Sequence, residues 1–77
     1  MILKNKRTGE QKELTYNEFR HEFAKDIQTS FESYRKTKLN KYSWHFKDDS
    51  SLEFNFYFDI RFNFNSFGNS AWYIEKL

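Results

Sequence analysis

Residues 52–67 read LEFNFYFDIRFNFNSF, and apolar side chains occupy every second position from Leu52 to Phe64. Strict alternation of apolar and polar residues is typical of a β-strand with one buried face. Five phenylalanines on one side of one segment allow two interpretations: a sheet face buried in the core, or an exposed platform for a partner. The alternation favours the first interpretation, because strands of antiparallel sheets normally bury such a row.

The alternating segment is too long to form one straight strand. Thirteen residues at about 3.3 Å each extend over roughly 43 Å, whereas a globule of this chain length has a radius of gyration of about 11–12 Å. We therefore expect a break near residues 59–63. Residues 42–46 also alternate, residues 48–51 form a turn signal, and residues 71–75 form a short closing strand. Residues 42–77 are thus predicted to be aromatic-rich antiparallel strands.

The N-terminal part of the chain contains signals for a hairpin and a helix. Residues 1–14 are predicted to form a β-hairpin, with Gly9 in the turn. Residues 15–36 are predicted to form a helix, because Thr15 and Glu18 fit a capping box. Apolar residues then recur at steps of three or four, as on one face of a helix: Tyr16, Phe19, Phe23, Ile27, Phe31 and Tyr34.

These elements predict a single α+β domain over residues 1–77, with one helix packed on a small antiparallel sheet in the order ββ-α-βββ.

The chain has no cysteine, so neither a disulfide nor a thiolate-bound zinc ion can stabilise this short sequence. Its 22% aromatic content offers large side chains for burial instead. No apolar run is long enough for a membrane span and no signal peptide is visible, so we expect no membrane association.

Catalysis is not expected from the residue types and their spacing. The chain lacks cysteine, and its two histidines, His21 and His45, stand in no recognisable arrangement with a nucleophile. The acids of the C-terminal half fit a turn or lie far apart on an extended strand. We therefore predict no enzyme activity, no catalytic residue, no cofactor and no metal ion.

Nucleic-acid binding is one of two binding classes that the sequence allows. A basic patch near the predicted helix end consists of Arg35, Lys36, Lys38 and Lys41. On the predicted Phe-rich strand, Tyr57 and Arg61 share a face and could stack on the bases of RNA or single-stranded DNA. Glu53 and Asp59 fall on the same face and would repel phosphate, which weakens this interpretation.

Protein binding is the second class. Twelve of the seventeen aromatic residues lie after Lys41, and one helix can cover only part of them. Exposed Trp, Tyr and Arg are the usual anchors of protein interfaces. The predicted partner-binding residues are Trp44, Tyr57, Arg61, Phe67, Trp72 and Tyr73. The same surplus of aromatic groups would also fit a homodimer, which adds burial to a small domain.

The segments MILKNKRTGEQKELTYNEFRHEFAKDI and FGNSAWYIEKL resemble short uncharacterised proteins encoded by phages and mobile elements of low-GC Gram-positive bacteria. Small proteins of such elements often bind and inhibit a host protein, and anti-CRISPR proteins are one such group. The resemblance implies a phage-encoded inhibitor of a host defence nuclease, such as a CRISPR effector, in the bacterial cytoplasm. A net charge of +2 argues against DNA mimicry, which needs a strongly acidic surface.

Overall fold

The computed structural model describes residues 1–42 and 49–77, which form four helices and three strands. In chain order these are β1 (Ile2–Asn5), β2 (Gln11–Glu13), α1 (Tyr16–Glu22), α2 (Ala24–Tyr42), α3 (Asp49–Phe58), α4 (Ile60–Phe67) and β3 (Trp72–Lys76). The α+β class and the antiparallel sheet are confirmed. The single helix and the ββ-α-βββ order are wrong, because the Phe-rich segment forms two helices rather than strands.

Strands β1 and β2 form an antiparallel hairpin at the N-terminus, with Leu3 opposite Lys12. Gly9 adopts a φ of 75°, the left-handed conformation that glycine tolerates best. The Asn5 side-chain oxygen accepts hydrogen bonds from the backbone N–H groups of Arg7 and Thr8, at 2.8 and 3.1 Å. These bonds fix the turn locally, which explains why the turn could be predicted from sequence.

Strand β3 pairs antiparallel with β1, so the sheet order is β2-β1-β3. Leu3 and Ile74 lie opposite each other, and both are fully buried beneath the helices. Glu75 is an extra residue in β3, because Ile2 pairs with Lys76 while Leu3 pairs with Ile74. The predicted closing strand is therefore present, but it pairs with the N-terminal strand and not with the Phe-rich segment.

Helices α1 and α2 occupy the region of the predicted long helix and extend it to Tyr42. Both halves of the capping box are present: Thr15 Oγ1 accepts from the Glu18 N–H, and Glu18 Oε1 accepts from the Thr15 N–H. The two helices are separated at Phe23, where φ is −107° and ψ is 26°. The hydrogen-bond ladder nevertheless continues across this residue, since Ile27 N–H donates to the Phe23 carbonyl at 2.8 Å.

The capping box predicts a pH dependence of stability. Hydrogen bonds from the backbone and side chain of Thr15 hold the pKa of the Glu18 carboxyl below its usual value. This contribution to stability is present above the unfolded-state pKa and is lost as the pH falls through the lower folded-state pKa. We expect Glu18→Gln to lose less stability than the unsubstituted chain between about pH 6 and about pH 3.

Urea unfolding at a series of pH values measures this effect. Glu13→Gln, which removes an exposed carboxylate outside the cap, is the matched control and should follow the unsubstituted chain. An identical pH dependence for Glu18→Gln and the unsubstituted chain would show that the cap makes no such contribution.

Helices α3 and α4 contain the Phe-rich segment and meet at Asp59. As a helix, sixteen residues extend over about 24 Å, which fits a molecule measuring 41 × 23 × 19 Å. The Asp59 carboxylate accepts a hydrogen bond from the Phe62 N–H at 3.4 Å and caps α4. The buried Asn63 side chain donates to the carbonyl groups of Asn55 and Phe56, both at 3.1 Å. This amide therefore holds the two helices together across the break.

One continuous hydrophobic cluster fills the space between the sheet and the helices. Phe64 meets Phe19 edge to face, with ring centroids 5.3 Å apart. Phe56 contacts Phe31 and Tyr34 of α2, with centroids 5.3 and 5.4 Å apart. The buried hydrophobic residues of this cluster are Leu3, Phe19, Phe23, Ile27, Tyr34, Leu52, Phe56, Ile60, Phe64 and Ile74.

Candidate interaction surface

Three phenylalanines of α3 and α4 face solvent, and we call them the Phe stripe: Phe54, Phe58 and Phe62. Their side chains are 67%, 80% and 62% exposed, respectively. The rings of Phe54 and Phe58 stack on each other, with centroids 5.8 Å apart and an interplanar angle of 24°. Phe62 lies one helical turn further along, beyond the break at Asp59.

The helical period explains why alternate phenylalanines divide between the core and the surface. Two residues along a helix turn the side chain by about 200°, whereas four residues turn it by only about 40° beyond a full turn. Alternate positions therefore form two rows on opposite sides. The inner row is Leu52, Phe56, Ile60 and Phe64, and each of these is at most 6% exposed.

The Phe stripe is as large as the apolar patches that often have a function on monomeric proteins. An aromatic side chain buries about 150–250 Å² when fully covered, so the three rings leave about 300–500 Å² of apolar surface accessible. The largest apolar patch on a typical monomer is about 300–600 Å² and often has a function. A helix with apolar residues on opposite sides normally buries both of them. The stripe thus has the properties of a binding surface for an apolar partner.

Polar residues border the stripe on both sides. Glu53, Tyr57 and Arg61 follow one another at four-residue steps along one side. Arg61 Nη2 donates to the Glu75 carbonyl at 2.7 Å, the carbonyl of the extra residue in β3. Asn55 and Asp59 are exposed on the other side. This border gives the stripe a low charge with both signs present.

Tyr57, which lies between Glu53 and Arg61 in this border, is half-buried. The Arg20 guanidinium lies 5.5 Å from the centre of its ring, within cation–π distance. Burial raises the pKa of the Tyr57 hydroxyl, and the nearby Arg20 charge opposes that rise. The hydroxyl is therefore neutral at physiological pH and can act as a hydrogen-bond donor at the edge of the stripe.

The partner-binding residues predicted from sequence lie mostly at the rim of the core. Trp72 is half-buried and meets Phe23 edge to face at 5.8 Å, with Lys12 Nζ 5.1 Å from its ring centre. Phe67 packs against Tyr34 at 5.3 Å. The Tyr73 ring is half-buried and lies near Lys6. Tyr57 and Arg61 are the border residues described above. Trp44 lies outside the described residues.

The four residues predicted as a basic patch lie in the C-terminal half of α2. Successive residues are about 100° apart around a helix. Arg35 and Lys36 line a shallow groove of about 520 Å³ that Glu32 also lines. Lys38 instead lies over the Tyr34 ring, 5.7 Å from its centre. Lys41 belongs to the last turn of α2.

The structure brings together no metal-binding group of side chains within the residues that it describes. In residues 1–42 and 49–77, no three His, Cys, Asp or Glu side chains are grouped so that they could hold a metal ion. His21 is exposed on α1, and His45 lies outside the described part. Across the same two segments, no helix combines the length and the apolarity needed to cross a membrane.

Comparisons with protein-family models, curated proteins and solved structures found no match to this chain. The interpretation of the site therefore depends on its own geometry.

The alternating pattern predicts that the Phe stripe is buried in the core, because a strand would direct the whole alternating row to one side. The length of the segment is the signal that favours a helix. Sixteen residues fit this molecule as a helix of about 24 Å, but they do not fit it as a strand. Asp59 also precedes a run of apolar residues at helical spacing, which is typical of a helix N-cap.

Proposed function

We propose that this chain is a non-enzymatic protein-binding module and that the Phe stripe is its contact surface. The observation that supports the proposal is the exposure of 62–80% for three phenylalanines on one helical face. Rigid aromatic rings are the side chains that most often anchor protein interfaces, because they bury a large area with little loss of conformational freedom.

The more specific form of this proposal is a phage-encoded inhibitor of a host defence nuclease, such as a CRISPR effector, acting in the cytoplasm of a bacterial host. It is supported by the resemblance of both chain ends to short phage proteins. It is also supported by the size of the domain, since a protein this small can inhibit a larger enzyme simply by binding it. The contact would combine the Phe stripe with Arg61 and Tyr57 at its border.

Binding of RNA or single-stranded DNA is the alternative. It is favoured by the exposed Arg35 and Lys36, which line the groove on α2 together with Thr29, Ser33 and Glu32. The two functions differ in their response to salt. Affinity that depends on phosphate contacts falls steeply with salt concentration, whereas an aromatic protein interface is much less sensitive.

Affinity capture from a lysate of a low-GC Gram-positive bacterium, with and without nuclease treatment, tests the proposal. We expect the unsubstituted chain to retain a protein after nuclease treatment and the triple variant Phe54→Ser/Phe58→Ser/Phe62→Ser to lose at least about nine-tenths of it. Arg35→Ala/Lys36→Ala is the matched control and should retain it. Capture that disappears with nuclease treatment, or with the control variant alone, would favour the nucleic-acid alternative.

The stripe variant is a cleaner probe than Trp72→Ala. The sequence identifies Trp72 as an interface anchor, but its ring also packs on Phe23. Its removal would therefore combine a loss of stability with any loss of binding.

A further inference from the structure

The Phe stripe has the spacing of a surface that complements itself. Phe54 and Phe62 each lie four residues from Phe58, about one helical turn, on either side of it in the sequence. The order of rings is the same when the helix is reversed. Two copies placed antiparallel can therefore bring their stripes face to face, with Phe54 of each copy near Phe62 of the other.

The charges beside the stripe agree with an antiparallel arrangement. Glu53 and Arg61 lie on the same side, four residues before and four residues after Tyr57. When two helices pack antiparallel, equivalent sides adjoin and their ends are exchanged. Glu53 of each copy then lies beside Arg61 of the other. On the opposite side, the same operation brings the Asn55 amide beside the Asp59 carboxylate, a donor beside an acceptor.

The small area of the Phe stripe predicts that two copies of the chain associate weakly. Two stripes together cover about 600–1,000 Å², which is below the 1,200–2,000 Å² of standard stable interfaces and is found in weak or transient ones. A net charge of only +2 on each chain causes little repulsion between copies. A dissociation constant on the order of 10–100 µM is therefore expected.

We infer that a second copy of this chain covers the Phe stripe, with the two α3–α4 segments antiparallel about a twofold axis near Tyr57 and Phe58. This inference rests on the proposed function, since it takes the stripe as a protein-binding surface and names the protein. The interface is isologous, so each copy contributes the same residues to it.

Sedimentation equilibrium of the purified 77-residue chain, from about 5 to about 500 µM, measures this association. We expect the average mass to rise from one chain toward two chains across this range. Phe58→Glu should weaken the association at least about tenfold, because it places two carboxylates near the twofold axis. Tyr16→Ala is the matched control, since it removes a ring that is 41% exposed on α1 and leaves the stripe intact. Circular dichroism checks that each variant is folded.

Charge exchange tests the arrangement of the two copies. Glu53→Arg and Arg61→Glu should each weaken the dimer by about twofold to tenfold, because each creates like charges across the interface. The double variant Glu53→Arg/Arg61→Glu should regain the original affinity. A double variant as weak as the single variants would show that these two residues do not adjoin.

The absence of native cysteine permits a direct test of orientation. A chain with Glu53→Cys mixed with a chain with Arg61→Cys should form a disulfide between the two different chains under mild oxidation. Each variant alone should form disulfides far more slowly, since equivalent ends are about 12 Å apart in the antiparallel arrangement. Rapid linkage of Glu53→Cys to itself would overturn that arrangement.

The outcomes separate this inference from the proposed function. A chain that stays monomeric up to about 500 µM, while the Phe stripe is still needed to capture a different protein, overturns self-association and leaves protein binding intact. A dimer that Phe58→Glu does not weaken also overturns the inference, because another face then forms it. A monomeric chain that captures no protein overturns both.

Discussion

Replacement of Phe56 by alanine should lower the free energy of unfolding by about 3–5 kcal/mol, whereas the same replacement at Phe54 should change it by less than about 1 kcal/mol. Phe56 is fully buried and touches two rings of α2, and Phe54 is 67% exposed. Truncation of Phe56 leaves a cavity that the surrounding side chains fill only in part. Truncation of Phe54 removes a ring that is mostly in contact with water.

This comparison distinguishes a helix from a strand at residues 52–58. In a strand, Phe54 and Phe56 lie on the same face and would lose similar amounts of stability. Urea unfolding at about 1 µM protein excludes a contribution from self-association. A domain of this size is stable by only about 5–15 kcal/mol, so Phe56→Leu and Phe54→Leu provide a milder pair. Equal losses at the two positions would contradict the helical assignment of α3.

Replacement of Asn65 by alanine should cost about 2–4 kcal/mol, because it leaves two backbone groups of a buried residue without partners. The Asn65 amide nitrogen donates to the Ile74 carbonyl at 2.8 Å, and its oxygen accepts from the Ile74 N–H at 2.7 Å. Ile74 lies in β3, an edge strand whose other side pairs with β1. A single side chain thus pairs with the outer edge of the sheet as a neighbouring strand would.

The variant Asn65→Asp isolates the role of the donated hydrogen bond. An aspartate of nearly the same shape can still accept from the Ile74 N–H, but its second oxygen faces the Ile74 carbonyl. The protonated acid can donate, so the loss of stability should become smaller below about pH 4. Thermal and urea unfolding at pH values above and below about 4 measure the stability of the Asn65→Asp variant. Asn17→Ala, at an exposed position of α1, is the control. A loss for Asn65→Ala no larger than the control would show that water replaces the amide fully.

In the N-terminal half, the turn and the start of the first helix could be predicted from sequence because their signals are local, whereas the break at Phe23 and the helix end at Tyr42 were not predicted. Gly9 determines a turn within a few residues of itself, and Thr15 with Glu18 determines where a helix begins. The apolar row from Phe19 to Tyr34 has only the helical period, so it had one interpretation. None of these features needs a distant part of the chain to select the conformation.

The Phe-rich segment could not be assigned in this way, because its pattern satisfies two periods. A row at every second residue contains two rows at every fourth residue, so alternation alone fits both a strand and a helix. Phe, Tyr and Ile favour strands when their context is unknown. Packing against α2 decides the outcome, and this contact is distant in sequence. Whether Phe54 belongs to the core or to the surface depends entirely on that decision.

The pairing of Asn65 with Ile74 has a consequence for aggregation. When α4 detaches from the sheet, the edge of β3 loses its side-chain cover and becomes a template for strand addition. The same event releases a segment with alternating phenylalanines, no proline and a net charge of −1 from Glu53, Asp59 and Arg61. Such segments are typical of the strands that stack in amyloid. In the native chain the helical state of this segment removes both the exposed edge and the strand that could bind to it, so the stability of α4 sets the solubility of the protein during partial unfolding.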